Sequence, residues 1–307
     1  MDKVICIVGP TGIGKTKLAL ALAQFLKTEI INGDAIQVFK EVDILSAKPT
    51  KEEQAQVKHH LLDYLNLAES LDVACFRKEA TSLIKKLNSE NKIPIIVGGS
   101  GLYLKSLLYD YNLADIKGRD VEIAEKYLKY SNEELFALLE EIDSEAASIL
   151  HPNNRKRVLR AIEIYETNQV KKSDFIALQD HKIVFDALII GLEMPRELLY
   201  ERINQRVELM LDIGLLNEVK NLYQNYQDKD FQVFQAIGYK EFIPFFNNEV
   251  TLEEAIAKVK QNSRRYAKKQ ITWFKNQMAV DWLESDVNDF SKTINEAKLL
   301  VEEFLNE

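Results

Sequence analysis

Apolar and polar positions follow two textures along the chain. Through the first hundred residues, short apolar runs closed by glycine, proline or polar residues alternate with longer stretches whose apolar positions recur every three or four residues. Val4–Val8, Glu29–Asn32 and Pro94–Val97 have the length and β-rich makeup of buried strands, while Lys15–Leu26 and a stretch around Val73–Asn88 have a helical period. Strands separated by helices of this length are joined by crossovers, so this part predicts a parallel sheet. Near Leu113 the texture changes. From Asp120 to Gln169 no strand-like run occurs, and Glu122–Lys129, Asn132–Ile142 and Arg155–Glu166 carry helical spacing. Phe185–Leu192 is again a buried-strand pattern. Helical stretches Glu197–Asp212 and Leu215–Tyr226 follow, broken at Gly214, and an amphipathic tail runs from Ser291 to Leu305. The expected architecture is α/β, a parallel sheet flanked by helices, made from residues 1–114 and 184–307 with an all-helical insertion at 115–183. No internal repeat or low-complexity tract is present.

Composition narrows the class. With 307 residues, 46% hydrophobic, 29% charged, 11 Gly and 6 Pro, disordered and collagen-like chains are excluded. The longest apolar runs, Val4–Val8 and Ala187–Ile190, fall far short of the roughly 20 residues that cross a bilayer. Gly9-Pro10 interrupts the first run before it could serve as a secretory signal. A cytoplasmic protein with no membrane partner is expected. Cys6 and Cys75 are the only cysteines, expected as reduced, buried thiols. The net charge of −8 argues against a general nucleic-acid binder. Its distribution argues otherwise, because residues 258–275 hold Lys258, Lys260, Arg264, Arg265, Lys268, Lys269 and Lys275 without one acid. On a helical wheel Ile256, Val259, Tyr266, Ala267, Ile271, Trp273 and Phe274 share one side and most of the cations the other, so one face is expected to pack and the other to stay charged.

Gly9-Pro10-Thr11-Gly12-Ile13-Gly14-Lys15-Thr16 fits the eight-residue phosphate-loop pattern, and it lies where that pattern has meaning, between a strand and a helix. Its glycines let backbone N–H groups turn toward an anion, the helix N-terminus adds partial positive charge, and Lys15 reaches the terminal phosphate. Thr16 would set its hydroxyl on Mg²⁺. Nucleoside triphosphatases usually hold the metal with an Asp at the end of a second apolar strand, but here Ile93–Val97 runs into Gly98-Gly99-Ser100-Gly101. Asp34 instead follows strand Glu29–Asn32 and faces the crevice at the carboxyl ends of the strands. One lysine, one carboxylate and the Ser100 hydroxyl are thus expected to converge, a set suited to group transfer rather than to a hydrolytic switch.

Taken in order, Gly9–Thr16, Asp34-Ala35-Ile36-Gln37, Ala47-Lys48-Pro49-Thr50, His59-His60-Leu61, Val97–Tyr103, Gln235–Glu241 and Arg264–Trp273 resemble the tRNA dimethylallyltransferase family over nearly the whole chain. The resemblance implies a P-loop NTPase-like fold and transfer of a dimethylallyl group from dimethylallyl diphosphate to the exocyclic N6 amine of the adenosine just 3′ of the anticodon. The loop would then hold a leaving group, not ATP. Carried over residue by residue, Asp34 is the general base, and Ser100 lies near the reacting centre. Gly9, Thr11, Gly12, Ile13, Gly14, Lys15 and Thr16 cradle the diphosphate, with Arg206 as its clamp. Lys15 stabilises the departing charge together with Mg²⁺, the one cofactor implied. Asp34, Ala35, Ile36, Gln37 and Ser100 meet the tRNA within the site. Arg157 and Arg160 of the insertion, and Arg264, Arg265, Lys268 and Lys269 of the basic helix, would grip the anticodon stem-loop. No protein partner is implied. The chain departs from the family pattern at Ala35, where Ser is usual, and at Phe39, Asn154, Lys269 and Lys275. Ala35 removes a hydroxyl beside the base.

An adenine in the anticodon-loop stack would have to flip out, at about a few kcal/mol, to reach such a pocket. Arg202, four residues before Arg206 on one helix face, is expected to be a solvated surface side chain. His59, His60 and Asp63 could suggest a metal, but neighbouring strand residues point to opposite faces, so structural roles are expected. Tyr103 and Tyr239 are expected in the packing. Two other classes stay open: a P-loop small-molecule or nucleotide kinase, and a nucleotide-dependent binding switch, the latter disfavoured by the missing acid after Ile93–Val97.

Overall fold

The computed structural model describes residues 1–110, 121–177, 182–226 and 229–306. In chain order it contains β1 (Lys3–Val8), α1 (Lys15–Leu26), β2 (Ile30–Asn32), α2 (Lys51–Gln56), β3 (His59–His60), α3 (Val73–Ser89), β4 (Ile95–Val97) and α4 (Gly101–Leu108). A helical stretch follows, α5 (Val121–Lys126), α6 (Asn132–Ile142), α7 (Ser144–Ile149), α8 (Arg155–Asn168) and α9 (Lys172–Ala177). The chain then returns through β5 (Asp186–Glu193), α10 (Arg196–Asp212), α11 (Leu215–Tyr226), α12 (Ile243–Phe246), α13 (Leu252–Gln277), β6 (Asp281–Glu284) and α14 (Phe290–Asn306).

The six strands form one parallel sheet in the order β3-β2-β4-β1-β5-β6. β1 lies at its centre, with Cys6 opposite Ile96 on one side and Ile189 on the other. Helices cover both faces, so the strand needs no polar side, which is why Val4–Val8 is an unbroken apolar run. Burial pushes the Cys6 thiol up to about 12 and leaves it inert. Cys75 departs from expectation. It sits in the exposed first turn of α3, where its backbone N–H caps onto Asp72, and is not buried. α1 turns Leu18, Ala19, Leu22 and Ala23 onto the sheet, and α14 covers the same region with Ala297 and Val301.

The strands at the two edges escape the hydrophobic pattern. β6, Asp-Trp-Leu-Glu, pairs only with β5 and is exposed at both ends, so an outer strand of four residues shows no apolar run. β3 is two residues long.

The chain divides into two compact units, Met1–Leu108 with Ile183–Glu307, and Tyr109–Lys182. The boundary expected at 114/115 and the texture change at Leu113 lie outside the described residues. Within the second unit, α6 begins with a capping box in which Ser131 and Glu134 satisfy each other's backbone N–H groups. Its core joins Leu135, Leu139, Ala146, Ala147, Val158, Ala161 and Ile162. α7 and α9, six residues each, are too short to show a helical period.

Candidate active site

The loop after β1 starts the site. Gly14 takes φ +109° at the helix N-cap, and a Cβ there would lie 2.8 Å from the Phe290 ring, so neither the conformation nor the space admits a side chain. Lys15 opens α1 and folds back to donate to the carbonyls of Gly9 (3.0 Å) and Pro10 (2.8 Å). Three side chains from distant elements hold the loop in place. Ser285 donates to the Ile13 carbonyl at 2.8 Å, the Arg202 Nε to Gly12 at 3.2 Å, and the Gln270 Oε1 accepts from the Thr11 N–H at 3.0 Å. Arg202 is therefore a loop support and not the solvated side chain expected of it. Spacing places it beside Arg206 but cannot show that α10 runs past the loop.

The loop after β2 supplies the carboxylate. Asn32, buried at the strand end, accepts from the Asp34 N–H and donates to the Asp34 and Leu61 carbonyls, which fixes the turn. Asp34 Oδ1 accepts from the Ile36 N–H at 2.9 Å. Beyond β4, Ser100 Oγ accepts from the Ala35 N–H at 3.0 Å, leaving its own proton free to donate. Asp34 and Ser100 thus sit on loops joined directly to each other. The missing hydroxyl of Ala35 leaves that joint intact, because it uses the backbone.

Asp34, Ser100, Lys15, Thr16 and Arg206 line one cavity of about 1390 Å³. Burial, reinforced by the Arg206 charge and opposed by Asp34, lowers Lys15 to about 7. Arg206 is also pulled down by burial, with Asp34 acting in the other direction. Among the described residues its guanidinium makes no hydrogen bond to protein, which leaves it available to an anion. Burial also pushes the Tyr266 hydroxyl up to about 12, with Asp34 adding to the shift. Tyr266 lines this cavity and is 41% exposed, so it does not belong to the packed face of α13 assigned to it by periodicity.

Gln37 lines the cavity wall. Its side-chain amide donates to the Ser46 and Ala47 carbonyls, both at 3.1 Å, so its nitrogen is used to shape the cavity wall and only Oε1 remains for a ligand. That wall is braced twice more. Lys48, buried, donates to Asp43 and Asp63 at 2.6 Å each, and Glu218 accepts from the Ile44 and Leu45 N–H groups. Burial raises Glu218 against these bonds. His60 pairs with Glu29 at 2.6 Å, His59 Nδ1 faces the Val57 carbonyl, and no cluster of metal-ligating side chains occurs among the described residues. Tyr103 donates to the Leu71 carbonyl and Tyr239 stacks on Phe234, both in packing roles.

The basic helix does not present its cations as one free face. Arg265 and Lys269 line the cavity, but Arg264 donates to Asn204 at 2.6 Å and lies over the Tyr200 ring, tying α13 to α10. Lys260 pairs with Glu208 and Lys275 with Glu193, and Lys268 is exposed away from the cavity lining. The acids absent from the segment itself come from other elements. In the second unit, Arg157 is exposed on α8 and Arg160 pairs with the buried Glu163 at 3.1 Å, with Lys172 lowered by burial and by the Arg157 charge.

A parallel sheet with an anion loop after its central strand, and a carboxylate after β2 across the same crevice, defines a P-loop α/β protein. The IPP transferase family model matches residues 37–277. The tRNA dimethylallyltransferase of Anoxybacillus flavithermus is 47% identical over 296 residues, 96% of this chain and 94% of that protein. The crystal structure of the tRNA isopentenylpyrophosphate transferase of Bacillus halodurans, 41% identical, superposes with a TM-score of 0.75 over 100% of this chain and 97% of its own. A eukaryotic dimethylallyltransferase acting on tRNA gives 0.84 at 29% identity, over 99% of this chain and 80% of its own. The chain belongs to the IPP transferase family.

Proposed function

We propose that the protein transfers the dimethylallyl group of dimethylallyl diphosphate to the N6 amine of the adenosine 3′-adjacent to the anticodon of tRNA, releasing diphosphate. The observation that carries this reading is one cavity with Lys15 and Arg206 at the anion loop, Asp34 facing them, and glycines in place of a metal-holding acid after β4. The diphosphate lies against the N–H groups of residues 12–16, with Lys15 and Arg206 on its oxygens. The flipped adenine enters beside Asp34 and Ser100. As the N6–carbon bond forms, the allylic carbon–oxygen bond breaks and its electron pair leaves with the diphosphate. The amine turns acidic only as it bonds, and its proton passes to Asp34, an effect of about 10²–10⁴-fold in rate. Lys15 and Arg206 meet the negative charge where it develops.

Mg²⁺ fits this donor set as an ion carried in with the diphosphate and water, with the Thr16 hydroxyl as its protein ligand, rather than held by a carboxylate cage. Bound there, it would supply further neutralisation of the leaving group. Arg265 and Lys269 at the cavity, and Arg157 and Arg160 in the helical unit, are the cations proposed to meet tRNA phosphates. The reaction is proposed to run in the cytoplasm, with its RNA substrate. Incubation of unmodified tRNA with dimethylallyl diphosphate and Mg²⁺ should add one C₅H₈ unit to a single adenosine, read by mass after nuclease digestion. Transfer of phosphate from ATP to a small molecule, with tRNA unchanged, would support a kinase instead.

A further inference from the structure

We propose that Gln270 is a positioning residue that sets the separation of donor and acceptor in this reaction, an inference that rests on the function proposed above. Gln270 lies on α13, is 6% exposed and reaches the wall of the same cavity, with both amide atoms engaged by protein. They bond to two of the loops that build the site. Oε1 accepts from the Thr11 N–H of the diphosphate loop at 3.0 Å, and Nε2 donates to the Gly99 carbonyl at 2.9 Å. Gly99 precedes Ser100, whose Oγ accepts from Ala35, next to Asp34. A continuous line of bonds therefore runs from the donor cradle through Gln270 to the loop that bears the base.

The side chain suits this task in three ways. One acceptor and one donor at the end of a single planar group are needed, and rotating the amide by half a turn would set N–H against N–H and oxygen against oxygen, so the orientation is determined. Contact with the second loop is close: a Cβ on Gly99 would stand 2.3 Å from Nε2, so glycine is required for the amide to reach the carbonyl. The helix around Gln270 is seated there too, with Trp273, one turn on, against Gly101 so tightly that a Cβ would lie 2.3 Å from its ring. Placement of this kind matters for transfer, because an error of about 1 Å between reacting atoms can cost about 10²-fold in rate.

The test is single-turnover transfer to tRNA by the full-length protein, with donor affinity, tRNA affinity and thermal midpoint measured in parallel. Gln270→Glu keeps the shape and the bond to Thr11 but sets a carboxylate oxygen against the Gly99 carbonyl. At about pH 8 its transfer rate should fall by about 10²-fold while both dissociation constants stay within a few-fold of wild type. When protonated, the introduced carboxyl can donate to Gly99, so the deficit relative to wild type at the same pH should shrink toward about pH 5.5. Gln270→Met, which fills the space and makes neither bond, should show the same loss of rate with no recovery at low pH. Wild-type rates in both variants would overturn the proposal, as would a loss explained by weaker binding of either substrate. Failure of both variants to fold would also overturn it, by assigning Gln270 to the core. Wild-type protein that transfers no C₅H₈ unit would instead overturn the reaction itself, and this inference with it.

Discussion

Lys15 shows how a single burial changes the chemistry of a residue whose identity is plain in the sequence. Held near pH 7 by burial and by Arg206, it is largely uncharged in the free protein under mildly alkaline conditions. An incoming diphosphate favours the charged form and raises it again, so binding takes up a proton above about pH 7 and little below. Calorimetry of inorganic diphosphate binding at about pH 8, in two buffers of different ionisation heat, should show uptake approaching one proton. Lys15→Arg stays charged and should lack that uptake, which separates it from protons released by the ligand. Lys15→Ala should weaken binding of the donor and nearly abolish turnover, and unchanged donor affinity would remove Lys15 from the cradle. At Asp34 the informative change is to Asn, which keeps an oxygen for the Ile36 N–H and hence the turn. Single-turnover transfer should drop by about 10²–10⁴-fold with tRNA affinity nearly constant, and a near-native rate would sink Asp34 as base.

Among the elements, α13 yields the sharpest contrast, because its cations have different employments. Arg265→Gln and Lys269→Gln should each flatten the log–log salt dependence of tRNA binding by about 0.7–0.9 if each neutralises one phosphate. Arg264→Gln should leave that slope unchanged and instead cost about 1 kcal/mol of stability by loosening α13 from Asn204 and Tyr200. A slope change in Arg264→Gln, with none in the other two, would reverse these assignments. This division was not legible in the sequence, since Glu208 and Glu193 lie far from 258–275 along the chain and only the fold brings them near. What was legible is whatever local pattern encodes. α11 spans the predicted Leu215–Tyr226 and α1 the predicted Lys15–Leu26, because an apolar stripe and a glycine boundary are written in consecutive residues. The glycine loop, Asp34 and Ser100 were readable as chemistry. Asn32, Arg202, Ser285 and Gln270, which hold those groups still, were not, because a polar side chain acquires a supporting role only from a partner up to 272 positions away.

For the whole molecule, the sheet gathers the site from loops after β1, β2 and β4, at the carboxyl ends of neighbouring parallel strands. With glycine after β4, the assembled crevice lacks an acid to hold the metal of a nucleoside triphosphate from that side. Neither ATP nor GTP should be hydrolysed at an appreciable rate, and steady phosphate release that depends on Lys15 would contradict this. The strand order also bears on how the protein is made. Tyr109–Lys182 is inserted between Leu108 and Ile183 of the α/β unit, within which the Val184 N–H donates to the Leu108 carbonyl at 2.9 Å. On a ribosome, β1, β2 and β4 emerge before this detour and β5 only after it, at roughly 5–20 residues per second. Until then β1, the most apolar strand, has a bare hydrogen-bonding edge on the side that β5 later occupies, the kind of edge that recruits other chains. A chain halted at Lys182 should therefore aggregate or stay bound to chaperones, and the interval spent translating the detour is the time when the nascent protein most depends on them.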